Sequence, residues 1–533
     1  MNFDIICKEN GRNRFKPLHF FDEMYRKKDP RQLKFENFYL PFGGKLRSDN
    51  RWVLLAEKIP WDVAESFYAE QFDSKGLGSP AKSARIALGA LIIKERLGVS
   101  DEEAVEQIRE NPYLQYFLGF HEYRDEAPFH PSMYVHFRKR FSLEQLGQLN
   151  EAISQSEDVG KKREKKKDPP DDSDSSSGGN QGKLIVDATC APADIRYPTD
   201  ISLVNEAREK SEAIIDVLFA PLKGTRKKPR TYRRKARKLY VSYSKKRKHS
   251  SPQRRKALRK QLGFLRRNLK TIERLSSEVS LSVLDRQSYK TLLVIHEVYR
   301  QQQWMYEHKS RRIDDRIVSI SQPHVRPIVR GKASAATEFG AKLSVSLVDG
   351  FVYLDTLCWD AYNESVDLKA QVESYRRRFG FYPASVHCDT IYRTRDNRAY
   401  CKEHGIRLSG PALGRPPKET EKNKARVLQQ HQDELDRIPI EGKFGQGKRR
   451  FGLGRIMAKL SQTSETVIAL IFIVINLEKW LKTPFLSFFA LQFSTRRPIR
   501  NFWKTMVECF EIAVTEARGI CLVREPALYA NIW

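Results

Sequence analysis

Apolar positions in the first part of the chain recur with a helical period. The stretch ARIALGALIIKERLG is predicted to be a helix that opens at Ser79-Pro80, a cap followed by a first-turn proline. A second helix opens at Ser100, with Glu103 completing a capping box, and stops at Asn111-Pro112. After the aromatic stretch YLQYFLGF, Ser132 can cap a third helix, MYVHFRKRF. The last of these short helices carries Arg138, Lys139 and Arg140. Short helices on tight turns fit a DNA-reading helix-turn-helix, and equally an ordinary bundle with a basic outer face. Residues 1–75 are mixed and aromatic and remain unassigned; 76–150 form the helical domain.

Residues 157–182, EDVGKKREKKKDPPDDSDSSSGGNQG, are rich in charge, Ser, Pro and Gly, with Val159 the one aliphatic side chain, and read as a disordered linker. Beyond them the period changes. KLIVDAT is a short buried-type strand with Asp187 at its end. AKLSVSLV and FVYLDTL alternate on either side of Asp349-Gly350, a strong hairpin signal. VDLKAQVESYRRRFG is a helix ending at Gly380, and PASVHCDT a strand with Asp389 at its C-terminal end. That order places Asp187 and Asp389 on strands of one mixed sheet. The apolar run Val467–Ile475 is far below the roughly 20 residues of a membrane span and is read as a buried core helix. No internal repeat is apparent.

Charge adds a partner. The chain has 533 residues and a net charge of +30, which calls for a polyanion, most naturally nucleic acid. From Lys223 to Lys270 there are 22 Lys and Arg and no Asp or Glu. This run is expected not to form a folded core but to be a basic arm within a helical insertion, 205–335, lying on DNA or solvated. The seven cysteines are odd in number and scattered, with no C-x-x-C pair, which argues against a zinc finger and a disulfide framework. Cys190 and Cys388, beside the two acids, are read as small buried residues. The N-terminus shows no signal-peptide pattern. A cytoplasmic protein with no membrane partner is expected.

The candidate chemistry lies in RIPIEGKFGQGK, where Arg437, Glu441 and Lys448 are spaced R-x3-E-x6-K. On a helix these offsets return to one face, with one acid between two cations. Pro439 and three glycines make that helix imperfect. Asp187, Asp389 and Glu441, on three separate elements, can hold two divalent metals for phosphoryl transfer. Asp194, Asp200, Asp355 and Asp396 lack that context. His324, His387 and Trp359 are more simply structural residues than DNA contacts.

These residues resemble the DDE transposases of bacterial insertion sequences. The similarity lies in strand-borne Asp187 and Asp389, in Glu441 within R-x3-E-x6-K, and in EGKFGQGKRRFGLGRI followed by an apolar helix ending NLEKWL. It covers about 80–150, 184–200 and 323–482. The family's fuller pattern has a Tyr three residues before the Arg, where this chain has Glu434. The resemblance implies an α/β, ribonuclease-H-like mixed sheet with flanking helices, preceded by an all-helical domain. The catalytic core would be 183–204 and 336–482, interrupted by the basic insertion, and 483–533 a C-terminal tail. It implies that Asp187, Asp389 and Glu441 bind two Mg²⁺, with Mn²⁺ able to substitute. Arg437 and Lys448, with Arg138, Lys139 and Arg140, would contact DNA. The implied partner is double-stranded DNA, both terminal inverted repeats and target, bound as a homodimer at the nucleoid. Two alternatives stay open: a catalytically inactive DNA-binding remnant, and a nuclease that cuts without joining.

Overall fold

The structure, a computed structural model, describes residues 34–40, 43–72, 80–165, 179–329, 337–410 and 421–494. It opens with seven helices: α1 (Arg51–Lys58), α2 (Trp61–Ala69), α3 (Ala84–Leu97), α4 (Asp101–Glu110), α5 (Pro112–Phe117), α6 (Met133–Lys139) and α7 (Leu143–Lys165). Helix α3 begins later than predicted. Ser83, in extended backbone, accepts a bond from the Ile86 amide and so caps it, and Pro80–Lys82 stay outside the helix. Ser79 lies outside the described residues. Ser100 caps α4 as expected, through the Glu103 amide at 3.1 Å. The aromatic stretch after it is itself a helix, α5, capped by Asn111 with Pro112 at its first turn. Part of the unassigned first 75 residues joins this layer, because Trp52 of α1 and Trp61 of α2 set their rings edge-on to Phe117 of α5. Arg85 closes the end of α5 by donating to the Phe117 and Tyr116 carbonyls. The expected linker is corrected over 157–165, which continue α7; residues 166–178 lie outside the described ones.

The sheet follows. Its strands are β1 (Lys183–Pro192), β2 (Arg326–Val329), β3 (Thr337–Val348), β4 (Phe351–Cys358), β5 (Ser385–His387) and β6 (Arg407–Leu408). The order is β2-β3-β1-β5-β6, with β4 also pairing with β3. Strand β3 is antiparallel to β1, β2 and β4, whereas β1, β5 and β6 run parallel. Asp349 and Gly350 both take positive φ (48° and 81°), the twist a two-residue β3–β4 hairpin needs. Gly340 is required by proximity: a Cβ there would meet the Ala191 carbonyl of β1 at 2.0 Å. Strand β1 extends past Asp187, so that residue sits mid-strand rather than at the end.

Helices α12 (Leu368–Phe379), α13 (Arg395–Glu403), α14 (Glu421–Arg450) and α15 (Ser461–Ser494) accompany the sheet. Helix α12 stops at Gly380 in the left-handed conformation, as predicted. The run Val467–Ile475 is buried. Among the described residues no helix is long and apolar enough to cross a membrane. A buried amide cluster ties the helical layer to the sheet: Asn150 of α7 and Asn476 of α15 bond to each other, and both bond the backbone of Val352 in β4.

Between β1 and β2 lie α8 (Asp200–Phe219), α9 (Arg233–Ser244), α10 (Ser251–Ser276) and α11 (Arg286–Glu307). Here the expectation for the basic run is overturned. Leu262, Leu265, Leu269 and Ile272 recur at three- and four-residue steps along α10 and are buried against Val204, Ala207 and Ile215 of α8 and Ile295 and Val298 of α11. The cations occupy the other side. The insertion starts at α8, ahead of residue 205, and ends before β2, which belongs to the sheet.

Candidate active site

Asp187 and Asp389 meet because of strand register. Strands β1 and β5 pair Lys183 with Ser385, Leu184 with Val386 and Ile185 with His387. Two residues further along each chain, that offset brings Asp187 level with Asp389. Alternate residues share a face of a sheet, so both acids emerge on the side of Ile185 and His387. Asp389 has by then left the strand. Its carboxylate accepts the Thr390 amide at 2.6 Å and caps a short 3-10 turn. Asp187 accepts the Ala188 amide at 2.8 Å.

Helix α14 supplies the rest. It packs against β1 and β5. Arg437 lies 3.4 Å from Asp389 and 3.4 Å from Glu441 one turn on, so the guanidinium bridges two of the three acids. Pro439, between Arg437 and Glu441, removes a helical donor, so this turn needs outside support. Two ion pairs immediately upstream provide it. Arg407 of β6 grips Asp433 through two bonds of 2.8 and 2.9 Å, and Lys183 of β1 reaches Asp436 at 2.6 Å. His387 is buried between these aspartates, 3.6 Å from Asp433 and 4.0 Å from Asp436. Downstream, Gly447 lets α14 approach Leu453 and Ile475 closely. Sequence reasoning missed Lys183, Arg407, Asp433 and Asp436. Their only local signal is that Asp433 and Asp436 lie one turn and one residue ahead of Arg437.

Electrostatics separates the two acidic groups. Burial pushes the Asp187 carboxyl above the usual carboxylate range, and the charges of Asp389 and Glu441 add to this; the Ala188 amide and Arg437 oppose it. Burial works against the charge on Arg437, yet Asp389, Glu441 and Asp187 outweigh it and hold it above the ordinary arginine value. Three carboxylates with one cation among them form a donor set a divalent ion fits, since oxygen ligands and an excess of negative charge suit a hard cation. A second group exists. Among the described residues, the ligand atoms of His387, Asp433 and Asp436 all lie within 4.8 Å of one another. Both its aspartates are already engaged by Arg407 and Lys183, and burial drives His387 toward its neutral form. It holds α14 in place.

Two family models match the chain. Residues 386–478, which include Asp389, Arg437, Glu441 and Lys448, match a transposase DDE domain. Residues 41–140 match a transposase domain (DUF772). The uncharacterized protein ORF8 in the nfe locus of Rhizobium meliloti is 31% identical over 156 residues, 29% of this chain and 68% of that protein. The chain belongs to the DDE transposases. No solved structure matches it. The mixed sheet and the helical N-terminal layer are those expected of a ribonuclease-H-like DDE domain.

The transposase places its other predicted residues unevenly. Lys448 lies half-buried two turns beyond Glu441 on α14. Of the α6 cations, Arg138 is buried and pairs with Asp101, which removes it from the outer face. Arg140 bonds the Tyr68 hydroxyl and lies over the Phe72 ring at 4.6 Å. Lys139 alone of the three is exposed. Asp194 and Asp200 pair with Arg455 and Arg316, and Asp355 is buried on Arg378. Trp359 bonds Glu465 and meets His324 edge-on, a packing contact. Cys388 is buried, its thiol pushed up to about 12, so it is inert beside Asp389.

Proposed function

We propose that this transposase binds the terminal inverted repeats of its insertion sequence and carries out metal-dependent cleavage and transfer of DNA strands. The observation that supports this most is the gathering of Asp187, Asp389 and Glu441 from two strands and a helix around Arg437. These three carboxylates would hold two divalent ions, Mg²⁺ in the ordinary case. Bound there, the ions supply an activated attacking oxygen and stabilise the leaving oxygen of the phosphodiester. The chain's own residues do the remaining work. Burial and mutual repulsion leave the Asp187 carboxylate in need of positive charge, which drives occupancy of the site. Arg437, released from the carboxylates when they are neutralised otherwise, would take a DNA phosphate through its planar fork. Lys448 offers a point charge further along the same helix. The freed 3′-hydroxyl would then attack target DNA, repeating phosphoryl transfer with a new nucleophile.

The test is incubation of the protein with its own flanking DNA and Mg²⁺, resolved on a gel. Cut ends followed by joined products support the reading. Cut ends with no joined product would reduce it to a nuclease, and neither product would remove the catalytic assignment.

A further inference from the structure

The helical insertion carries a charge pattern that the reaction site does not use. All 22 Lys and Arg from Lys223 to Lys270 are exposed, with no Asp or Glu among them. Three reach carboxylates beyond the run: Arg226 on Glu278, and Lys228 and Arg233 on Asp216. These pairs fasten the start of the run to the insertion's own core. The apolar stripe of α10 is buried against α8 and α11, so the cations sit on a rigid support. Repulsion among so many like charges weakens the folded insertion, and the cost is recovered when a polyanion neutralises them.

Three observations select the polyanion. A membrane surface needs an apolar helix face to bury, and that face of α10 is already inside. Single strands need ring faces on which bases stack. Here Arg267 lies over Tyr232 at 5.4 Å, Arg255 over Tyr306 at 4.1 Å, and His249 is stacked on Tyr243 at 3.7 Å. Helix α10 spans 26 residues, about 39 Å at 1.5 Å per residue. One duplex turn is about 34 Å. Exposed cations from Arg254 to Lys270 run along this length.

We propose that the α9–α10 face is a second DNA-contacting surface, gripping the backbone of about one turn of duplex without reading its bases. The surface is independent of the carboxylate site, and its test does not require that site to be catalytic. Deleting the run would strip α8 and α11 of their partner, so surface substitutions are the proper probe. In the full chain, Lys238→Gln, Lys256→Gln, Arg259→Gln and Lys260→Gln are combined. Affinity for a duplex several turns long is followed by anisotropy across a salt series, with the element's own end and with a scrambled sequence. The slope of log K against log salt should flatten by about 3–4, at about 0.9 for each phosphate no longer neutralised. Affinity should fall at least tenfold, equally for both sequences, with the melting temperature unchanged. An exposed second set, Lys227→Gln, Lys235→Gln and Lys248→Gln, should act in the same direction should the first variant fail to fold. An unchanged slope in both sets would overturn the proposal, as would a loss confined to the element's end. A larger loss on single strands or on anionic vesicles than on duplex would assign the surface to those partners instead.

Discussion

Asp187 and Asp389, 202 residues apart, stand at one register level, because that same offset pairs Lys183 with Ser385 on the parallel strands β1 and β5. A slip of one residue in this pairing would turn one acid to the opposite face of the sheet. The register thus does for the two aspartates what the helical period does for Arg437 and Glu441. The hydrophobic residues that hold it, Leu184, Val186 and Val386, are fully buried.

Asp187→Asn, Asp389→Asn and Glu441→Gln should each abolish Mg²⁺-dependent cleavage while leaving duplex affinity within about twofold, about 0.4 kcal/mol at 1.4 kcal/mol per decade. Cleavage gels and anisotropy on the same preparations check this. Full cleavage by any one variant would remove that residue from the site.

Asp187 also makes a pH prediction. Its folded-state carboxyl is raised above its unfolded value, so the protonated form is favoured by folding. That stability is fully present below the unfolded pKa and is lost as pH rises through the folded one. In chelator, Asp187→Asn should therefore melt higher than wild type at pH 7. The gain should vanish as pH falls below the ordinary aspartate value of about 3.9. Equal melting temperatures at pH 7 would show that Asp187 carries no such strain.

Asp433→Asn should weaken the grip of Arg407 and let the turn around Pro439 drift. The expected outcome is at least a tenfold slower cleavage rate, with duplex affinity and Mn²⁺ stoichiometry unchanged. The reversed pair Arg407→Asp with Asp433→Arg should recover part of the rate. A rate equal to wild type in Asp433→Asn would leave α14 anchored elsewhere.

Arg138 and Lys139 are neighbours with opposite predictions. Arg138→Ala leaves the partly buried Asp101 only its longer ion pair with Lys94, at 3.9 Å, a loss of about 2 kcal/mol. It should appear in the melting temperature. Lys139→Ala, at an exposed position, should leave stability within about 0.5 kcal/mol. If this helix meets DNA, Lys139→Ala should lower affinity, and unchanged binding would exclude the contact.

Lys448→Ala separates phosphate binding from simple helix pairing. As a helix cation without a phosphate partner, its loss should change stability by no more than about 0.5 kcal/mol and barely alter rates. As a phosphate contact, its loss should slow cleavage or joining well beyond any change in stability. Normal rates for both steps in purified Lys448→Ala would end the phosphate role.

The sequence by itself determined what short-range chemistry decides. Asp349-Gly350 specified the hairpin, Gly380 the stop of α12, Ser100 the start of α4, and the two-residue alternation on either side of Asp349-Gly350 the strands β3 and β4. Each rests on a turn, a cap or a two-residue period, and so on neighbours within a few positions. The tertiary structure alone decided which cations are available. Arg138 turns inward because Asp101, 37 residues away, meets it there. The basic run folds because α8 and α11 cover the leucines of α10, although its charge suggested an open arm. The anchors of α14 joined three parts of the chain, with Lys183 and Asp436 separated by 253 residues. Pairings of that kind depend on which elements become neighbours after folding, and no local period records them.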